Sequence, residues 1–443
     1  MARSMGRNAA QTVVVHFGST VLGLTTSIIT ARMLGPSSRG IFTLVTTLPH
    51  TLSALVKLGL AQGAVYSIRK ERVGASTVAS HLFFIAIGSS LPIVLGVILL
   101  RGRAAELLLK GANPIYLLLA LPLVPLLLIE SYFFAILQAL ERFVLFNQRV
   151  LVTSVLAPVT MFVALVVCHG NLAAAILANL GVIVAVDLWL IATVFALCPL
   201  RWSWDGALAR RMLQFGVKSY LQTLATHLHM RIDVYLVAAF LTPADVAFYA
   251  IATRFAELLF HIPESLGMVI YPRQAASNKD GAEDLTATAC RHTIFSSLLG
   301  SVMLLTLGSW LIGLWYGAAY APAAKPLPYL VAGEIMMSLF FIFTRNFTSQ
   351  NRQELNLIAS AVALVVNFCM NLALIPRMGI AGAGLSSAIS YSCSTAILAR
   401  IYFRESGKSL RDVVLLRGSD IAAYRRVWSE VTGRFAQSAE GPA

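Results

Sequence analysis

Apolar residues in this chain come in long unbroken stretches rather than in alternation or at single helical spacing. Twelve such stretches, at 11–31, 41–64, 78–100, 115–138, 150–168, 172–197, 217–241, 245–271, 292–316, 327–345, 355–375 and 380–402, fill the sequence with only short loops between them. A helix needs roughly 20 mostly apolar residues to cross a bilayer, and in lipid only helices and closed barrels satisfy their own backbone hydrogen bonds. The pattern predicts an all-α integral membrane protein of about twelve transmembrane helices. It leaves no stretch long enough for a soluble catalytic domain. Composition agrees: 58% of residues are hydrophobic, 12% are charged and the mean hydropathy is +0.76, where soluble domains carry about twice that charged fraction.

The formal net charge of +14 would suggest nucleic acid in a soluble chain. In a membrane bundle its distribution reads as topology instead, and no nucleic-acid partner is expected. With sides assigned alternately along the spans, 24 of the 34 Lys and Arg fall on the N-terminal side, among them Arg142 and Arg149. Seven fall opposite (Arg32, Arg39, Arg101, Arg103, Lys110, Lys325 and Arg377), and Lys57, Arg231 and Arg254 lie within spans. Cytoplasmic loops are enriched in Lys and Arg, so both termini are expected in the cytoplasm of a multi-pass protein. The basic start before the first apolar run lacks a convincing cleavage site and is read as a retained first helix. The five cysteines are scattered through apolar segments with no CxxC, which supports neither a disulfide framework nor a zinc site. No cofactor is expected.

Two motifs recur at nearly one offset. Leu34-Gly35-Pro36 through Phe42 and Leu241-Thr242-Pro243 through Tyr249 begin 207 residues apart, and the segments opening at Gly170 and Gly379 begin 209 apart. A duplicated unit of six helices follows, with both copies in the same orientation, as in transporters whose repeats are related by an axis along the membrane normal. The expected organisation is a bundle over 1–199, a linker over 200–216, a second bundle over 217–402 and a basic tail over 403–443, either a membrane-surface helix or loose.

Ionisable groups inside spans are costly, and they line cavities or pair with each other. Arg254, Glu257, His261 and Glu264 step by 3, 4 and 3 along one stripe of the eighth span. Arg254 and Glu257 either face a cavity or neutralise each other. Arg231 and Asp233 lie mid-span in the seventh, paired mutually or with another helix. Lys57 either faces the interior or snorkels to the interface. Glu130, Asp187 and Glu334 suit ion coupling or interhelical hydrogen bonding, and Asn367 and Asn371 suit helix–helix contacts.

The stretch Ala31-Arg32-Met33-Leu34-Gly35-Pro36 resembles the first-helix ending of the bacterial polysaccharide-repeat exporters. These are the O-antigen and exopolysaccharide flippases of the multidrug/oligosaccharidyl-lipid/polysaccharide superfamily. Arg231-Ile232-Asp233 through Arg254 and Glu257 resembles their seventh and eighth helices, and Ser409 through Val414 their tail. The resemblance implies two six-helix bundles around a central cavity in the bacterial inner membrane. The implied cargo is an undecaprenyl-diphosphate-linked oligosaccharide, turned from the inner to the outer leaflet, with membrane lipids, a polysaccharide polymerase and a chain-length regulator as further partners. Arg254 aligns with the cavity arginine of the related lipid II flippases, while Thr20 and Thr26 stand where their first helix bears arginines. The expected substrate-binding set is Arg254, Arg231, Lys57, Glu257, Asp233 and His261, with H+ or Na+ as coupling ion.

Two rival functions are weighed against this. A polytopic polymerase or ligase would need a long external loop, and a sugar-nucleotide transferase an Asp-x-Asp triplet; neither is present, nor are GxSxG, HExxH or Walker motifs. The chain is therefore not expected to be an enzyme. An ion-coupled multidrug antiporter of the same superfamily would favour an acidic cavity, whereas three mid-span bases favour an anionic cargo. Reporter fusions test the topology: those after residues 40, 110 and 170 should read external, and those after 72, 210 and 443 internal. Inverted readings at the termini would overturn the orientation.

Overall fold

The computed structural model describes residues 2–201, 204–418 and 420, and these form helices with no strand among them. Each predicted span corresponds to a helical stretch. The first helix, α1 (Ala2–Val56), carries two spans joined across a kink at Gly35, where φ is +72° and Pro36 follows. The second of those spans continues, after a 53° bend, as α2 (Leu60–Arg69). Next come α3 (Ala75–Leu109), α4 (Ile115–Ala120) with α5 (Leu123–Ala139), α6 (Phe143–Phe162) with a π-helical turn, and α7 (Leu172–Leu197). The remaining spans are α8 (Gly206–Phe240), the compound α9 (Pro243–Ala256) and α10 (His261–Ala276), α11 (Lys279–Tyr316), α12 (Leu327–Ser349), α13 (Gln353–Met378) and α14 (Ile380–Ser406). A short α15 (Leu410–Val414) ends the described chain.

Among the described residues, seven helices are long and apolar enough to cross a membrane by themselves, and the bent α1–α2 pair adds an eighth span. The others, notably α8, α9–α10 and α14, are the more polar ones. Relative to the expected boundaries, α8 begins inside the predicted linker. Asp205 caps it by accepting from the backbone N–H of Ala207 and Leu208, the usual way of satisfying the first free amides of a helix. Those amides, with the Arg211 charge, hold the exposed Asp205 carboxyl below its ordinary pKa. Trp202 of the predicted linker and residues 421–443 of the predicted tail lie outside the described residues.

Apolar packing falls into three clusters. One joins α2, α3, α5, α7 and the start of α8 around Tyr132 and Phe133. Another joins α11, α12, α13 and α14 around Phe340, Phe343 and Tyr402. The third spans both predicted halves, setting Leu44, Val45 and Ile176 with Phe255, Tyr316 and Tyr320.

The predicted halves meet at both ends of the bundle. At the end expected to face outward, the two repeated loops touch: a Cβ on Gly40 would lie 1.6 Å from the Pro243 carbonyl oxygen. There Tyr320 donates to the Ala31 carbonyl at 2.8 Å, and Arg32 donates to the carbonyls of Trp315 and Leu314 at 2.7 and 2.5 Å. At the opposite end Gly59 of the α1–α2 break lies directly against Gly216 of α8, and the rings of Tyr66 and Phe215 stack at 3.9 Å. Tyr220 donates to the carbonyls of Ala54 and Leu55, at 2.9 and 2.6 Å, which the helix break has released. The halves therefore touch at both ends, with a partly open space between them.

Gly40 is a packing requirement, since a methyl group there overlaps backbone that cannot move aside. Gly40→Ala should lower stability by about 1–3 kcal/mol, the range for overpacking. Gly18→Ala, with nothing within 4 Å of the added methyl, should be neutral or slightly stabilising. Thermal unfolding of the two variants in detergent checks this, and equal midpoints would contradict it.

Candidate functional site

This space is a partly open cavity of about 510 Å³ whose walls come from α1, α6, α7, α8, α9 and the turn after α9. Hydroxyls of Thr26, Thr30, Thr43 and Thr46 line the α1 side. Most of them donate to carbonyls of their own helix, as Thr30 does to Thr26 O at 2.9 Å, which leaves their acceptor lone pairs facing the space. Three guanidinium groups reach the same space: Arg39, Arg231 and Arg254.

The three differ in what surrounds them. Arg231 Nη1 lies 3.3 Å from Glu257 Oε1, so that charge is neutralised. Arg39 is 8% exposed, donates to Thr43 Oγ1 at 2.9 Å and Ser27 Oγ at 3.4 Å, and stands 5.3 Å from the Phe42 ring. These partners are neutral and leave its charge uncompensated. Arg254 makes no hydrogen bond or ion pair among the described residues and opens to the cavity, its Nη2 3.2 Å from where a Cβ on Gly23 would sit. Gly23 thus leaves the room that this side chain occupies.

Of the expected substrate-binding residues, Arg231, Arg254 and Glu257 line this cavity. Glu257 pairs with Arg231 across two helices, not with Arg254 along one. Arg231 of α8 brings a second guanidinium within reach of Glu257, and the 3-10 turn Glu257–Phe260 between α9 and α10 shifts the register of the predicted stripe beyond it, at His261 and Glu264. His261, beyond that turn, lies with its Nε2 3.4 Å from Thr20 Oγ1 and outside the cavity lining.

Lys57 lines a second, lower space of about 350 Å³, with His50, Gln62, Glu130 and Tyr220. It sits in the break between α1 and α2, where Leu58 and Gly59 both have positive φ. Its carbonyl accepts from Tyr132 at 3.2 Å. His50 and His227 belong to the walls of both spaces and separate them.

Asp233 does not reach either space. Two residues from Arg231, it points to the far side of α8 and is 2% exposed. Its carboxylate accepts from Ser387 Oγ at 2.5 Å, Asn371 Nδ2 at 2.7 Å and Tyr249 Oη at 3.0 Å. Asn371 also donates to Asn367, whose amide donates to Ser390 Oγ at 3.1 Å. A carboxylate held, among the described residues, by hydroxyl and amide groups without a basic partner can take a proton or a small cation.

Two groups escaped the sequence reading. The count of basic residues by side places Arg39 in an outer loop, whereas α1 continues through Gly35-Pro36 to Val56 and carries it into the bundle. Arg149, assigned to the inner side, is instead buried in α6. Its Nη1 lies 2.7 Å from Glu130 Oε1 and its Nη2 2.8 Å from Asp187 Oδ1. The acids Glu130 and Asp187 were visible in their spans, but a partner 38 residues away in sequence carries no periodic signal.

Residues 5–278 match the family model described as polysaccharide biosynthesis protein. The chain belongs to that family. Residues 219–373 also match the MatE family. The chain is 23% identical over 193 residues to the probable low-salt glycan biosynthesis flippase Agl15 of Haloferax volcanii. That alignment takes in 43% of this chain and spans 41% of the relative's length. In fold it is similar to the lipid II flippase MurJ in an inward closed conformation, with a TM-score of 0.75 at 16% identity over 91% of this chain and 88% of that one. It is also similar to an inward-facing MATE transporter, with a TM-score of 0.71 at 15% identity over 88% and 94% of the two chains. The chain therefore has the fold shared by these flippase and transporter structures.

The Arg149 cluster should behave as structure. Arg149→Met leaves Glu130 and Asp187 without their cation and should cost about 3–5 kcal/mol, as when one partner of a buried ion pair is removed. Adding Glu130→Gln and Asp187→Asn should restore most of the loss. Thermal unfolding and yield of folded protein measure both; a triple variant no better than Arg149→Met would contradict this.

Proposed function

We propose that the chain turns an undecaprenyl-diphosphate-linked oligosaccharide from the inner to the outer leaflet of the bacterial cytoplasmic membrane, for surface polysaccharide biosynthesis. The observation that carries the reading is Arg254: a permanent charge open to the cavity between the halves, beside Arg39 with its neutral partners, while Arg231 is already neutralised by Glu257. A guanidinium does not deprotonate in proteins, so this space favours an anion. A diphosphate supplies about two charges and several acceptor oxygens for a planar donor fork. The threonine rows and the lower space, with Gln62, His50 and Glu130, suit sugar hydroxyls.

Transport proceeds by alternating access, the two predicted halves parting first at one end and then at the other. Both termini face the cytoplasm, and the flipped product passes to a polymerase and a chain-length regulator. A gradient of H+ or Na+ biases the cycle, and Asp233 is the group suited to receive either ion. An antiporter of cationic drugs would instead need an acidic cavity, and here Glu257 of the upper space is bound to Arg231 and Glu130 of the lower space to Arg149.

Arg254→Ala should abolish glycan export while leaving expression and membrane insertion intact. Arg254→Lys should recover only part, since each charged hydrogen bond lost is worth about 1.5–3 kcal/mol, roughly 10–150-fold. Mass spectrometry of lipid-linked oligosaccharides co-purifying with the wild type and Arg254→Ala is the direct measurement. A fully active Arg254→Ala protein sinks the reading. In sealed vesicles, transport should stop when all ion gradients are collapsed; persistence that demands ATP would refute the coupling.

A further inference from the structure

The lower space does not end at Lys57. It continues sideways into a largely apolar groove of about 610 Å³ between α2, α5 and α6. Ala61, Gln62, Ser131 and Phe134 line both, so the two are contiguous. Beyond this polar throat the wall is Val65, Ala135, Phe143 and Phe146, with Gln138 at the rim.

Its depth follows from its neighbours. An exposed ion pair, Arg69–Glu141, ties the end of α2 to the loop after α5. Exposed charges of that kind belong at the water–headgroup boundary. Val65 is one turn inward of Arg69, and Gln138 is three residues inward of Glu141. The groove therefore opens just on the membrane side of that boundary. Meanwhile the axial way out at this end is shut by Gly59 against Gly216, by Tyr220 and by the Tyr66–Phe215 stack. A second apolar groove, between α10 and α11 around Leu266, Phe295 and Leu299, shares no lining residue with either polar space.

We propose that the α2–α5–α6 groove is the binding site for the polyisoprenyl chain of the substrate, holding the tail while the diphosphate and sugars occupy the two polar spaces. This rests on the lipid-linked reading above and adds where the tail leaves the protein. An amphiphile held between halves that touch at both ends must pass its chain through a side opening that joins polar to apolar surface. Among the described cavities, the Gln62–Ser131 throat has that form. Aromatic and aliphatic walls suit a branched hydrocarbon, and the opening lets the distal isoprene units remain in the bilayer.

The test is photocrosslinking of the full chain in nanodiscs of phosphatidylethanolamine and phosphatidylglycerol. A benzophenone amino acid is placed at Val65 or Phe146 in the groove, at Leu299 in the second groove, and at Leu99 on the lipid-facing surface. The probe is a radiolabelled undecaprenyl-diphosphate disaccharide. Capture at Val65 and Phe146 should exceed that at Leu99 and Leu299 by about tenfold, as for one site preferred over bulk lipid. Unlabelled probe should compete and excess phosphatidylglycerol should not. Equal capture at all four positions, capture at Leu299 alone, or displacement by phosphatidylglycerol overturns the proposal. Filter binding of the same probe to wild-type protein separates the two failures: retention without groove capture refutes only the tail site, while no retention refutes the lipid-linked cargo as well.

Discussion

The fold is organised by one constraint: an arginine in a membrane keeps its charge, so each must be compensated, hydrated or left facing a ligand. Arg149 is compensated twice, by Glu130 and Asp187, and serves to join α5, α6 and α7. Arg231 is compensated once, by Glu257, across α8 and the turn after α9. Arg39 has hydroxyls and an aromatic ring, and Arg254 has only the cavity. The series runs from structure to function along a gradient of decreasing compensation. The excess positive charge is concentrated where the two predicted halves enclose space, which is where an anion would be carried.

Two helix irregularities lie on the walls of that space. The α1–α2 break puts Lys57 on one wall, and the 3-10 turn puts Glu257 on another. Each interrupts a span, in corresponding positions of the predicted repeats, and each releases backbone carbonyls that other groups must satisfy. Tyr132 and Tyr220 do so at the first break. Because Tyr220 comes from α8 and its acceptors from α1, the bond also pins that end of the two halves together. Local irregularity and inter-half contact are thus one feature, so that parting the halves must also change the cap of the broken helix.

The apolar spans were legible because length and hydropathy are properties of contiguous sequence, and every predicted span corresponds to a helical stretch. The repeated loops were legible too, and they prove to touch, Gly40 against Pro243. The site was only partly legible. Arg254 and Arg231 could be found as charges deep in spans. Arg39 could not, since a count of basic residues by loop places it outside, whereas α1 carries it back into the bundle. Asp233 was grouped with Arg231 by proximity in sequence, although a two-residue step on a helix separates their faces. Of the two readings open for Glu257, facing the cavity holds, but its partner is Arg231 of another helix, which spacing along one helix cannot show.

The two buried ionic centres differ in a way that bears on the direction of coupling. The Arg149 cluster holds its acids against a cation, so adding a proton or metal ion there must first displace a strong existing partner. The Asp233 centre has a carboxylate with three neutral donors and no cation. An ion can bias a conformational equilibrium only through a difference in its affinity for the two states. Asp233 lies among α8, α9, α13 and α14 (through Tyr249, Asn371 and Ser387), while its chain neighbour Arg231 faces the cavity from the same helix. A small rotation or bend of α8 would change both environments at once. The helix that presents a cavity arginine on one face and a lone carboxylate on the other is therefore the element through which ion occupancy and anion binding can be linked.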